Sequence, residues 1–228
     1  MRRSLLAAAL IALAAFGGFL WSGRPDSRVT DLVPPFVGAA EAQTTDTAAA
    51  PATEVPDMVL GNAEAAVTVI EYASFTCPHC RNWHSTVWPE FRKNYVDTGK
   101  VKFVYREVYF DKFGLWAAMV ARCGGPMKYF GIADMVYDTQ KDWIADGQDA
   151  TIAGNLRKIG LKAGIAQDQL DACLKDNAMA KAMVASYQKN ATADGVEGTP
   201  TFIINGEKVS GEMTYADFAR IIDGKLGG

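Results

Sequence analysis

The chain has 228 residues, 49% of them apolar, which is enough for one sizeable core but not clearly for two. Its formal charge is −3, and −4 without residues 1–42; this mild acidity speaks against a nucleic-acid binder, which needs a basic face. No internal repeat is evident, and the four cysteines fall by position into two pairs, Cys77/Cys80 and Cys123/Cys173.

Arg2 and Arg3 precede an uncharged, mostly apolar run from Ser4 to Gly23, closed by Arg24. Positive residues followed by an apolar stretch have the charge order of an export signal. The run is long for a cleavable signal and, at about 1.5 Å per residue, just long enough to span a bilayer. Ala40-Glu41-Ala42 suits a signal peptidase but lies far from the run. Residues 1–23 are therefore read as either a signal peptide or a retained membrane anchor. Both readings export the rest of the chain, to a periplasm-like compartment. In that setting an even cysteine count favours disulfides. Residues 24–56, ending in a tract of Thr, Ala and Pro without periodicity, read as a disordered linker.

Asp57 to Asn62 reads as a short strand and turn. Val67-Thr68-Val69-Ile70-Glu71-Tyr72-Ala73 reads as a strand, and Cys80, Trp83, Val87, Phe91 and Tyr95 form the buried stripe of a helix running to about Val96. Pro89 should kink that helix. Val101 to Val108 alternates as a second strand, completing a β-α-β unit over residues 57–112. From residue 113 to 195 the pattern is helical: pieces open at Leu115 and run Met127–Trp143, Ala150–Gly164, Gln167–Lys175 and Ala178–Ala193. So many helical residues between strands read as an inserted cap. Thr199-Pro200-Thr201-Phe202 then opens a hairpin turning at Asn205-Gly206, and a closing helix runs from Tyr215, giving a β-β-α unit over residues 196–228.

Cys77-Pro78-His79-Cys80 stands where the strand meets the helix, and a Cys-x-x-Cys there is a redox motif. With Cys77 as the N-cap and Pro78 first in the helix, the N–H groups of His79 and Cys80 point at the Cys77 sulfur. The helix end carries roughly +0.5 of a charge, which favours thiolate over thiol. His79 can add positive charge or a donor. Residues three apart on a helix have Cβ atoms about 5–6 Å apart, so a small adjustment closes a disulfide. The rival chemistry is a metal-binding or metallochaperone module using Cys77, Cys80 and His79. A zinc site usually needs four ligands, and there is no second Cys-x-x-Cys, so no metal is expected. His84 reads as a solvated or packed helix residue, and Trp83, Trp88 and Trp116 as packing. Cys123/Cys173 reads as a structural disulfide within the cap rather than a second redox pair.

A β-α-β unit opening on Cys-x-x-Cys, a helical insertion, and a β-β-α unit opening on Gly198-Thr199-Pro200-Thr201-Phe202 resembles the DsbA-like family. The resemblance covers roughly Val55 to the C-terminus. It implies an α/β thioredoxin fold with a helical domain inserted between the β-α-β and β-β-α units. It implies that the Thr199–Pro200 bond is cis beside the active cysteines, that the Thr199 backbone pairs with an extended substrate, and that Glu71 is the acid beneath the sulfurs. The activity it implies is a thiol:disulfide oxidoreductase whose only redox group is the Cys77–Cys80 disulfide, with no cofactor. Such an enzyme introduces disulfides into reduced, unfolded secreted proteins and is reoxidised by a DsbB-like membrane quinone reductase. Isomerase relatives dimerise through an added N-terminal domain; residues 24–56 do not suggest one, so a monomer is expected. Threonine before Pro200 is shared with isomerase-type relatives, which keeps a reductase or isomerase direction as the alternative.

Overall fold

A computed structural model describes residues 55–227. The signal or anchor expected at 1–23, and the linker up to residue 54, lie outside the described residues.

Five strands form one sheet: β1 (Met58–Gly61), β2 (Val67–Ala73), β3 (Val101–Glu107), β4 (Thr201–Ile204) and β5 (Glu207–Ser210), in the order β1-β3-β2-β4-β5. β2 and β3 run parallel, with Glu71 opposite Tyr105; β4 is antiparallel to β2, with Phe202 opposite Glu71. The alternation of a strand puts Val67, Val69, Glu71 and Ala73 on one face, and all four are fully buried. Glu71 therefore occupies an apolar row as its single charge. On the other face Tyr72 packs with Val108, Ala191 and Ile203.

The helix after the Cys-x-x-Cys is broken rather than merely kinked. α1 (Pro78–Thr86) stops at Val87, α2 (Trp88–Phe91) follows, and a π-helical turn spans Arg92–Val96. Pro89 is the cause: it has no N–H for the carbonyl four residues earlier and occupies the first turn of α2, where none is needed. The wide turn, closed by Asp97 N–H donating to Arg92 O at 2.8 Å, keeps Tyr95 and Val96 both buried. Trp83 of α1 is wholly buried, its ring 4.8 Å from that of Phe202 on β4. It also lies 5.4 Å from the ring of Phe218 on the closing helix α9 (Tyr215–Leu226). These contacts bind the two halves of the sheet domain on one side.

Six helices separate β3 from β4: α3 (Lys112–Cys123), α4 (Pro126–Asp138), α5 (Gln140–Ile144), α6 (Asp149–Lys162), α7 (Gln167–Lys175) and α8 (Asn177–Ala193). The piece read as continuous from Met127 to Trp143 is two helices, interrupted at Thr139, whose hydroxyl donates to Met135 O at 2.7 Å. Trp143 beyond the break is buried, and its indole N–H donates to Val136 O. α3 is capped by Asp111, which accepts from the N–H groups of Phe113 and Gly114 at 2.8 and 2.9 Å. Cys123 and Cys173 form a disulfide joining the end of α3 to α7. The Thr199–Pro200 peptide is cis and leads directly into β4.

Candidate functional site

Cys77 is the N-cap of α1 and Pro78 its first residue. The Cys80 N–H donates to Cys77 Sγ at 3.5 Å. Both cysteines are free thiols in this structure, and Cys80 has no exposed surface. The two sulfurs are driven apart in acidity. Cys77 is lowered from 9.0 to about 5, first by hydrogen bonding from the Cys80 thiol, against the effect of burial, and further by Thr199 and the backbone N–H groups of Cys80 and His79. Cys80 is pushed far up, first by burial, then by the Cys77 and Glu71 charges. One nucleophile poised as thiolate and one buried thiol result.

Thr199 and Pro200 come to this centre from the far end of the cap. Thr199 O lies 3.6 Å from Cys77 Sγ, within reach of the thiol hydrogen. Thr199, Pro200, His79, Asn82, Thr86, Glu212 and Tyr215 line a groove of about 890 Å³ beside the cysteines. The His79 ring does not lie against the sulfur. Its Nδ1 is 3.1 Å from Glu212 Oε2, on the loop before α9, and Asn82 donates to the other oxygen of the same carboxylate. What His79 gives Cys77 is its backbone N–H. The ring, 71% exposed, faces the groove instead.

Glu71 is fully buried and its two oxygens lie 3.0 and 3.2 Å from His84 Nε2. His84 is packed, as read, but it is also the hydrogen-bond partner of the buried acid, a role the chain order hid. The signal was its place four residues after Cys80, on the helix stripe that faces the strand carrying Glu71. The His84 ring stacks on Tyr137 of α4, centroids 4.1 Å apart. Tyr137 OH is 2.5 Å from Tyr105 OH and donates to Ser74 O at 3.2 Å.

The cap fixes the loop that presents Cys77. Gln140 Nε2 donates to both Phe75 O and Cys77 O, at 2.8 and 3.0 Å. Thr76 Oγ1 donates to Asp111 at the start of α3. Nothing local in the sequence marks Gln140, since its partners lie over sixty residues away. Among the described residues, no group of three or more His, Cys, Asp or Glu side chains gathers as metal ligands.

A dithiol on a strand-to-helix junction, facing a cis-proline across a groove, on this sheet order, is the architecture of thioredoxin-fold proteins. The chain belongs to the thioredoxin family, whose pattern matches residues 53–224. Within that family it is similar to DsbA-type proteins. The α-DsbA1 of Wolbachia pipientis superposes with a TM-score of 0.69 at 28% identity, covering 76% of this chain and 93% of that one. BdbD of Bacillus subtilis gives 0.67 at 24% identity, over 75% and 94%, a likeness of fold. A Rickettsia bellii protein provisionally named protein-disulfide oxidoreductase is 35% identical over 66% of this chain. The chain spans only 57% of that relative and 60% of its Rickettsia felis counterpart.

Proposed function

We propose that this chain is an exported thiol:disulfide oxidoreductase acting as a dithiol oxidase. The reading rests above all on one observation: Cys77 caps α1 and accepts from the Cys80 N–H, with its pKa lowered to about 5, whereas burial pushes the Cys80 thiol beside it far up. A stabilised Cys77 thiolate favours the reduced enzyme, so its disulfide is given away readily. A substrate thiolate attacks Cys77 Sγ, the Cys77–Cys80 bond breaks, and its electron pair leaves on Cys80 Sγ, which takes up a proton. A second substrate thiolate attacks the substrate sulfur of the mixed disulfide, so that the substrate departs oxidised and Cys77 departs as thiolate. The substrates are reduced, extended segments of secreted proteins. They lie in the groove with Thr199 supplying backbone pairing and Pro200 excluding close approach from that side. A DsbB-like membrane quinone reductase restores the disulfide. The similarity to α-DsbA1 and to the rickettsial protein-disulfide oxidoreductases supports this class of activity.

The test is Cys80→Ser in cells. It removes the resolving sulfur and should accumulate mixed disulfides between Cys77 and exported proteins, visible as reductant-sensitive bands. No adducts, or adducts that persist when Cys77 is also replaced, would sink the assignment.

A further inference from the structure

The ring of His79 is held away from the sulfur it adjoins, and one carboxylate holds it. His79 Nδ1 lies 3.1 Å from Glu212 Oε2, and because a carboxylate only accepts, the hydrogen is on Nδ1. Asn82 Nδ2 donates to Oε1 of the same group. His79 and Asn82 stand three apart on α1 and so share its groove face. Glu212 reaches them from the loop between β5 and α9, which is fixed on both sides. On one side Gly211, at a φ of 91° that favours glycine, donates its N–H to Pro200 O at 2.9 Å. On the other, the Thr214 hydroxyl caps α9, accepting from the Asp217 N–H at 3.2 Å. Anchored backbone thus sets Glu212 across the groove from α1. The other polar groups near the ring are engaged. The first turn of α1 holds no acidic side chain. Asp217, the second carboxylate of the groove, is taken by Thr214 Oγ1 at 2.7 Å and by Arg220 at 3.0 Å. Tyr215 OH accepts from Asn94 at 2.8 Å. The remaining anion beside His79 is the Cys77 thiolate, at which its backbone N–H already points. A change of side-chain rotamer carries the ring toward it.

We propose that Glu212 is a positioning residue for thiol–disulfide exchange, holding the His79 ring off Cys77 and so restraining the oxidising strength of the Cys77/Cys80 pair. When a thiolate attacks the substrate sulfur of the mixed disulfide, Cys77 Sγ departs with the electron pair of the broken bond. A donor at that sulfur stabilises the departing thiolate. With Glu212 in place, the imidazole N–H is directed to the carboxylate, and His79 serves Cys77 through its backbone alone. Without the carboxylate, the ring is free to give the same N–H to Cys77. The reduced enzyme then gains stability, and the disulfide becomes a stronger oxidant. Both side chains are exposed, so the restraint has the size of a surface pair, a small factor and not orders of magnitude.

The inference rests on Cys77/Cys80 being the exchanging pair but not on the direction of the reaction. Its test is the equilibrium of the full-length chain with reduced and oxidised glutathione at pH 7, read by alkylation, together with the ultraviolet titration of the Cys77 thiolate. Glu212→Ala should move the equilibrium about threefold toward the reduced enzyme. It should lower the titration midpoint by about half a pH unit, which is the same free energy read twice. In a His79→Ala background, Glu212→Ala should change neither quantity. A shift that is absent or opposite in the single variant would overturn the restraint. A shift of full size that survives His79→Ala would equally overturn it, because the carboxylate would then act on Cys77 by its charge alone. Neither side chain is buried, so the variants keep the fold. A wild-type disulfide that does not exchange with glutathione would sink the redox pair and the inference with it, whereas exchange that Glu212→Ala leaves unmoved sinks the inference alone.

Discussion

Two cysteines three residues apart are chemically unlike because of where one helix turn puts them. Cys77, at the cap, meets the Cys80 thiol and the first N–H groups of α1; Cys80, one turn on, meets only the interior. Ultraviolet absorbance of the reduced protein should therefore titrate a single thiolate with a midpoint near 5. Since the Cys80 thiol is the first cause of the shift, Cys80→Ala should raise that midpoint toward the ordinary thiol range. A midpoint unmoved by Cys80→Ala would place the cause in the helix end alone. His79 shows the limit of reading a residue by its neighbours: its ring is drawn to Glu212, 133 residues away, and not to the sulfur beside it.

Among the elements, the cap helices hold the redox loop from above, through Gln140, Tyr137 and Asp111, while the sheet holds it from below. The α3–α7 disulfide stabilises that arrangement. Closing a loop of 50 residues is worth about 4 kcal/mol on the chain-entropy view. Replacing both Cys123 and Cys173 by Ala should lower the free energy of unfolding by up to that amount, measured by urea titration. Dithiothreitol exchange at Cys77/Cys80 should remain; its loss in a folded double variant would make the second pair part of the redox path. The pairing of these cysteines was legible from their even count and their place in helical segments. The break at Val87 and the split at Thr139 were only half legible. Pro89 announced a disturbance, but whether a helix kinks or restarts is decided by which side chains the core accepts on either side.

For the whole molecule, acidity at Cys77 links to stability. A folded-state pKa of about 5, against about 8.5 in the unfolded chain, is a depressed acid. Its stabilisation of the reduced protein is complete above the unfolded value and is lost as pH falls through the folded one. The oxidised protein has no such group. The reduced form should thus unfold at the higher temperature near pH 8–9, and the gap should narrow steadily toward pH 5. A gap that is reversed, or that widens on acidification, would contradict the oxidase direction, since the same thiolate energy drives disulfide donation.

The sequence by itself determined the strand-turn-helix with its Cys-Pro-His-Cys, the helical insertion, the return through Thr-Pro to a hairpin, and hence the thioredoxin-type order of units. These are local signals, carried by periodicity, turn residues and one dipeptide. Only the tertiary structure decided that Glu71 meets His84, that Gln140 reaches the Cys77 loop, that His79 turns to Glu212, and that a second cleft opens beside His84. Each of these depends on the register of β2 against β3 and on how α4 and α5 settle over α1. Burial then makes a lone charge or an unpaired nitrogen costly, and so selects partners that no local pattern of residues could specify.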